Sequence, residues 1–482
     1  MLLAALLFRA PALLFAELNW DEALYRLIAT DLLHGTLPYV TLWDRKPAGL
    51  FALIAAIQGA LGGTMIALRL VTALVVGAGG FCLATITRRL VPTLPAAGPV
   101  AGLLWCLYSA QRGGEGVNAE LFFVPLNLAA FALLLRAPSR SAWLVAGVLM
   151  GLAFEVKFNA LFSWFGFAAI LIRMRPHDGI GARANWLAAL IGGAAPTLMI
   201  AATYVASGQF GVWYEANIAA QLASGSFAEP IDLAALGFGL AALTPLLGLA
   251  AIAAVGWPRV LGRLLPWLAA EALALLFLRR FADHMILQLL PPLCVAAGVA
   301  SAGLAAWSPR RVPGAALLLA GLAVLGWEGR ALARPYAAAL EIAQRRQTTG
   351  DAAWGDPVAT AAARLRASLH PGETLYVLGG PVLSLYASTG RAPPTRFAFT
   401  EHLWKPYAPV DGMAELRRIL ATRPAMIALP ATWTAPEPFF ALLHQVLRAD
   451  YAPAGTIPPF VSAGGGAVGP QLTIVLYRRE GT

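Results

Sequence analysis

Residues 66–89, IALRLVTALVVGAGGFCLATITRR, are apolar almost throughout and close on the basic pair Arg88-Arg89. A helix of about 20 apolar residues crosses the roughly 30 Å hydrocarbon core of a bilayer, and Arg and Lys gather at its cytoplasmic end. Comparable runs recur near 2–18, 97–111, 121–136, 141–156, 158–173, 185–206, 233–255, 264–279, 285–304 and 312–328, which with 66–87 predicts eleven crossings. Composition agrees: the 482 residues are 59% hydrophobic and 12% charged, against about 45–50% and about 25% in soluble domains. The charges are uneven, with 20 Lys/Arg and 15 Asp/Glu in residues 1–328 and 15 and 10 in residues 329–482. A polytopic all-α membrane domain over 1–328 is therefore expected to precede a small soluble domain over 329–482.

With the N-terminus in the cytoplasm, the inner gaps hold Arg88, Arg89, Arg136, Arg140, Arg173, Arg175, Arg183, Arg259, Arg263, Arg310 and Arg311 against the single acid Asp178. The outer gaps hold Asp21, Glu22, Asp31, Asp44, Glu115, Glu120, Glu215, Glu229, Asp232 and Asp283. Counting Ala48–Leu61 as a span would invert every later loop, so it reads as a helix dipping into the membrane surface. The odd span count puts the tail on the extracytoplasmic side. There Thr374–Gly379, Ala425–Leu429 and Thr473–Tyr477 read as strands, and Val358–Ser368, Gly412–Ala421 and Pro438–Leu447 as helices. Pro371-Gly372 and Gly464-Gly465-Gly466 punctuate this α/β pattern as turns.

The net charge of +10 does not indicate nucleic acid, because the basic residues stand singly or in pairs between apolar runs. Cys82, Cys106 and Cys294 lie inside apolar stretches without C-x-x-C spacing and read as buried structural thiols. The first run lacks a basic n-region and a small-residue cleavage site, so it reads as a retained span. Arg9 in its middle either faces the bundle interior or marks a start that has lost residues. Glu271, in mid-span, has no partner legible in sequence. No internal repeat is visible, which weighs against many transporter folds.

The first outer loop is the chemically dense stretch: Asn19-Trp20-Asp21-Glu22-Ala23-Leu24-Tyr25, then Leu33-His34-Gly35-Thr36-Leu37-Pro38-Tyr39, then Trp43-Asp44-Arg45-Lys46-Pro47-Ala48-Gly49. Asn19 with Glu22 fits a capping box and Asp21 suits a helix start. Capping does not explain why these acids, Lys46 and later outer cations share one membrane face. Trp20, Tyr25, Tyr39, Trp43, Trp213 and Tyr214 on this face are either sugar-stacking groups or belt anchors.

These residues resemble the polyprenyl-phosphate-dependent glycosyltransferases of GT-C type (glycosyltransferase family 39-like), which include the protein O-mannosyltransferases and the lipid A aminoarabinose transferase. The likeness lies in Asp21-Glu22 after the first span, Gly35-x-x-Pro38-Tyr39, Trp43-Asp44-x-Lys46-Pro47, Asn118-Ala119-Glu120, and the run Arg280-Phe281-Ala282-Asp283-His284 leading to Pro291. The chain departs from the family at Arg45, where some members carry an acid, at Ala48, where a second Pro is frequent, and at Met285, where Tyr is frequent.

The resemblance implies an enzyme of the bacterial inner membrane that transfers a sugar from a polyprenyl phosphate, among membrane lipids, to a lipid, envelope glycan or protein acceptor on the extracytoplasmic face. It makes Asp21 the general base, with Glu22 and Glu120 as further acids. Lys46, Arg280 and His284 would meet the lipid phosphate, with Tyr39 and Asp44 beside them in the donor site. Lys157 reads as the ion-pair partner of Glu155. No cofactor is implied. The six histidines show no i,i+3 or i,i+4 pair, so no metal site is expected; carboxylates such as Asp21 and Glu22 are nevertheless of the type that holds a hard divalent ion, and metal dependence stays open. The competing function is a lipid-linked sugar transporter or flippase, which would place polar groups through the bilayer depth rather than at one face.

Overall fold

The computed structural model describes residues 1–111, 113–136, 139–174, 179–223, 232–278, 283–306, 333–405, 408–459 and 472–481. Arg280, the run 312–328 and Gly464–Gly466 lie outside the described residues. The helices before the first gap are α1 (Leu2–Arg9, running on as a 3-10 turn to Leu14), α2 (Trp20–Leu33), α3 (Ala48–Leu61), α4 (Met65–Leu90) and α5 (Ala97–Tyr108). Then come α6 (Glu120–Arg136), α7 (Arg140–Val156), α8 (Ala160–Met174), α9 (Gly179–Ala206), α10 (Phe210–Tyr214) and α11 (Ala220–Ala223), the last two joined by a π-turn at Glu215–Ala219. α12 (Leu233–Ala242), α13 (Thr244–Gly256), α14 (Pro258–Leu278) and α15 (Leu290–Ala306, entered through a 3-10 turn from Asp283) complete the bundle.

α4 shows why such a run becomes a helix. Thr64 caps it by accepting from the Ala67 amide at 3.2 Å, and Arg88 and Arg89 stand in its last turn, where positive charge offsets the helix dipole. α7 and α9 pack backbone to backbone: a Cβ on Gly147 or Gly151 would collide with the carbonyls of Ala189 and Gly193, the small-residue contact that membrane helices use. Arg9 is buried and donates to the Ser109 carbonyl at 2.6 Å and hydroxyl at 3.0 Å, so it faces the bundle interior.

Among the described residues, four helices are long and apolar enough to cross a membrane: Met65–Leu90, Gly181–Ala206, Pro258–Phe277 and His284–Ala306. Leu236–Ala242 with Thr244–Gly256, bent by 75°, makes five if taken as one broken span. The bend, at Leu243, replaces the continuous span expected at 233–255, because Pro245 has no amide to donate to the Ala241 carbonyl and its ring crowds that carbonyl, so a new helix starts at Thr244. Of the remaining runs in the count of eleven, those within the described residues form helices of 8 to 17 residues, at or below the lower end of the about 17–25 residues that a span takes. What is established is a multi-helix apolar bundle; the eleven-span topology is not.

After the bundle come α16 (333–349), α17 (Pro357–Ser368), α18 (Leu385–Thr389), α19 (Gly412–Ala421) and α20 (Glu437–Asp450). They surround one four-stranded sheet of order β1-β2-β4-β3, from Leu375–Val377, Met426–Pro430, Tyr451–Ile457 and Ile474–Arg479. β1 and β2 are parallel, pairing Leu375 with Met426, and the other two pairings are antiparallel. β3 lacks a sequence signal: Tyr-Ala-Pro-Ala-Gly-Thr-Ile carries Pro453 and a bulge at Pro453/Gly455, both features of an edge strand. One buried apolar core runs without interruption from Leu24 and Phe51 through Trp43 and Phe397 to Ile427 and Leu476. The α/β unit is thus packed onto the bundle at the first loop.

Candidate active site

α2 begins where Asn19 accepts the Glu22 amide at 3.0 Å, which puts Asp21 in its first turn and Tyr25 one turn later on the same face. The chain leaves α2 through Gly35 and reverses at Tyr39, whose φ of +72° is rare for a side-chain-bearing residue. Three contacts hold that turn. The Tyr39 hydroxyl donates to the Lys46 carbonyl at 2.7 Å, its ring stacks on Tyr204 at 6.0 Å, and the Tyr204 hydroxyl donates to Pro38 O at 3.1 Å. Tyr39 is fully buried, so its contact with Lys46 runs through the backbone.

The turn delivers Lys46 to Asp21. Lys46 Nζ lies 3.4 Å from Asp21 Oδ1, donates to the Tyr25 hydroxyl at 2.9 Å and sits 5.1 Å from the Tyr25 ring centre. From the opposite side His284 Nε2 lies 3.7 Å from Asp21 Oδ2. Burial opposes charge on Asp21, but Lys46, His284 and Lys157 outweigh it and hold the carboxyl at about 2. Burial likewise works against the Lys46 ammonium, yet Asp21 and Asp44 raise it above its ordinary value. Asp44 is shifted the other way, upward, by burial first, with Lys46 pulling back and Asp21 adding to the rise. Asp44 Oδ1 accepts the Arg45 amide at 2.6 Å, while Oδ2 has no hydrogen-bond partner among the described residues.

Two carboxylates expected here are otherwise engaged. Glu22 is 1% exposed and receives both sides of the Arg69 guanidinium, the Leu18 amide at 2.6 Å and the Val117 amide at 3.0 Å. Glu120 takes Lys157 Nζ in a buried ion pair. The pairing read from sequence for Lys157 is therefore corrected: α7 ends at Val156, so Lys157, two positions past Glu155, leaves in extended backbone, and Glu155 instead accepts the Thr197 hydroxyl at 2.6 Å. Arg69, alone and charged within an apolar run, was the available signal for a buried acid nearby; its partner was not legible. Glu271, the other intramembrane acid, accepts Ser163 Oγ at 2.6 Å and Trp267 Nε1 at 3.0 Å, pinning α14 to α8.

The α/β unit contributes residues that sequence reasoning missed. Trp43 packs on Phe397 and His402 with ring centres at 5.6 and 4.8 Å, and Trp20 stacks on Phe399 at 5.5 Å. The Trp43 amide donates to Arg396 O at 2.7 Å, and Arg396 pairs with Glu215 at 3.0 Å. His402 is held well below its ordinary value by burial and by Arg45 and Lys46, so it stands neutral beside these cations. Trp43, fully buried, is thereby committed to protein contacts, while Trp20 stays 36% exposed beside Phe399.

This geometry sits on a recognisable scaffold. Over 98% of its length the chain superposes on 96% of ArnT from Cupriavidus metallidurans bound to undecaprenyl phosphate, at a TM-score of 0.62 and 14% identity. The chain has the fold of ArnT. The apo state of that protein gives a TM-score of 0.62 at 15% identity. AglB, the oligosaccharyltransferase of Archaeoglobus fulgidus in complex with an inhibitory peptide and a dolichol-phosphate, gives 0.51 at 12% identity, covering 97% of this chain and 73% of AglB. No protein-family model and no curated protein sequence matches. The fold implied by the resemblance is the one the chain shares with ArnT.

Proposed function

We propose that this protein is an integral membrane glycosyltransferase that moves a sugar from a polyprenyl phosphate to a lipid, envelope glycan or protein acceptor at the extracytoplasmic face of the bacterial inner membrane. In this reading the N-terminus is cytoplasmic and the α/β unit extracytoplasmic. The observation that carries it is Asp21 between Lys46 and His284, in the first loop of a chain with the fold of ArnT, a protein solved with undecaprenyl phosphate.

The chemistry follows from the charges. An acceptor hydroxyl attacks the anomeric carbon, the bond from that carbon to the phosphate oxygen breaks, and the hydroxyl proton passes to Asp21. The departing phosphate carries the electron pair of the broken bond and is met by Lys46 and His284; Arg280, outside the described residues, is assigned to the phosphate on the resemblance alone. Lys46 pairs with Asp21 in this structure; turning it to the lipid phosphate weakens its hold on Asp21, whose carboxyl then rises toward ordinary basicity as the acceptor must be deprotonated. Asp44 Oδ2, buried and without a hydrogen-bond partner among the described residues, is the acceptor we assign to a sugar hydroxyl. Glu120 fixes Lys157 near Asp21, Tyr39 positions Lys46, and we assign Glu22 to the structural clamp with Arg69. The reaction as written needs no cofactor, and insensitivity to EDTA tests the metal question.

The test is mass-spectrometric detection of undecaprenyl phosphate released by the purified protein in nanodiscs from undecaprenyl-phosphate-linked mannose, glucose and 4-amino-4-deoxyarabinose, with membrane extract as acceptor. No release by folded protein, together with movement of these lipids across vesicles, would replace the enzyme by a transporter. Lys46→Met is expected to weaken undecaprenyl phosphate binding about 10- to 100-fold, the worth of one charge-assisted hydrogen bond of roughly 1.5–3 kcal/mol. Native mass spectrometry measures this, and unchanged affinity would remove Lys46 from the phosphate site.

A further inference from the structure

The four residues Phe15–Leu18, between the first helix and Asp21, are gripped from two parts of the chain. On the bundle side Arg69 donates to the carbonyls of Ala12 at 2.6 Å and Phe15 at 2.5 Å. On the other side the Ala16 amide donates to Asp356 Oδ2 at 2.5 Å, and the Ser384 amide donates to Glu17 Oε2 at 2.8 Å. Both carboxylates are buried, Glu17 at 1% and Asp356 at 2% exposure. Phe15 shares a small separate core with Ala338 and Ile342, with Trp354 packed against it. Gly380 lies so close to Trp20 that a Cβ there would stand 2.8 Å from the Trp20 Cβ.

Asp356 is the informative residue, because its two oxygens serve two different parts of the protein. Oδ1 accepts the amides of Val358 and Ala359, each at 3.0 Å, and so caps α17. Oδ2 takes a backbone amide 340 residues away, five positions before Asp21. A cap needs only the first oxygen. Ala16 and Ser384 each gain a carboxyl oxygen as acceptor for a backbone amide inside the protein, where an unmet donor is costly.

We infer that Asp356 and Glu17 are positioning residues: through the segment Phe15–Leu18 they fix Asp21 relative to Lys46, which makes the α/β unit a working part of the site. The inference rests on the glycosyltransferase reading with Asp21 as base. Neither residue touches the reacting atoms, and the effect is geometric, since a displacement of about 1 Å in a reacting group costs on the order of 10²-fold in rate.

Asp356→Asn separates the two duties. Asparagine caps a helix as well as aspartate, but it turns an NH2 toward the Ala16 amide in place of an acceptor. The full-length variant in nanodiscs is expected to unfold like wild type, to bind undecaprenyl phosphate within about twofold, and to lose about tenfold or more in kcat. Hydrogen exchange at the amides of Ala16–Leu18 is expected to rise in parallel. Glu17→Ala is expected to behave likewise and Glu17→Gln, which keeps an acceptor oxygen for Ser384, to recover most of the rate. Faster exchange with wild-type kcat in both Asp356→Asn and Glu17→Ala would overturn the inference, as would unchanged exchange in both. If Asp356→Asn does not fold, the Glu17 pair decides alone. Full activity in Asp21→Asn would instead bring down the base assignment, so the two failures are told apart.

Discussion

Asp21→Asn is expected to lower turnover by about 10³-fold, in the middle of the range for removal of a general base, while undecaprenyl phosphate binds at least as tightly as to wild type. The two effects have one cause. Asp21 stands 3.4 Å from Lys46 and 3.7 Å from His284, so its charge competes with phosphate for both. Asparagine is close to isosteric and releases that competition, but accepts no proton. Loss of rate without loss of affinity therefore distinguishes a base from a residue that merely supports the loop, whose removal would reduce both. Retention of more than about a tenth of wild-type turnover would exclude the base role, given the contribution expected of such groups.

The pH dependence follows from the same contacts. Burial alone would raise the Asp21 carboxyl; Lys46, His284 and Lys157 bring it below its ordinary 3.8, to about 2. A carboxyl depressed on folding contributes stability that is present above the unfolded value and is lost as the pH falls through the folded one. Asp21 should accordingly be ionised throughout the physiological range, and kcat/KM should show no acid limb from this group above about pH 4. In Lys46→Met one of the depressing charges is gone, so the limb is expected to move upward. An unmoved limb would show that Lys46 does not set the ionisation of Asp21.

What the sequence revealed was local. Apolar runs and periodicity placed α3 at its observed bounds of Ala48–Leu61, α19 at Gly412–Ala421, and three of the four strands within a residue or two. First-loop residues whose types suit phosphate and proton chemistry included Asp21 and Lys46, and the entry to α15 included His284; the folded chain brings all three within 4 Å. Pairings across the fold were hidden. Lys157 meets Glu120 rather than the acid two positions away, and Glu22 meets Arg69 from a different helix, because charge pairing in an apolar interior depends on which helix faces pack together, and spacing along one helix carries no record of that. Trp20 and Trp43 read as sugar-stacking groups or belt anchors for the same reason: their partners Phe399, Phe397 and His402 come from a part of the chain more than 350 positions away.

Arg69→Met is expected to be among the most damaging single substitutions in the bundle, destabilising the fold by about 3–5 kcal/mol, the cost of breaking a buried ion pair from one side. The Arg69 side chain is 1% exposed and the Glu22 side chain fully buried. Removing the guanidinium strands the carboxylate and also frees the carbonyls of Ala12 and Phe15, which it holds at 2.6 and 2.5 Å. The double variant Arg69→Met/Glu22→Gln should recover part of the loss, since it leaves no unpaired charge. The measurement is resistance to thermal inactivation in detergent, read by loss of monodisperse protein. The same series separates structure from chemistry at Glu22. If Glu22 acted on substrate, the folded fraction of Glu22→Gln would turn over as poorly as Asp21→Asn. With all its donors drawn from Arg69 and the backbone amides of Leu18 and Val117, Glu22 holds the start of α2 against the bundle. The folded fraction of Glu22→Gln is thus expected to keep kcat within about tenfold of wild type, the loss appearing mainly in how much protein remains folded.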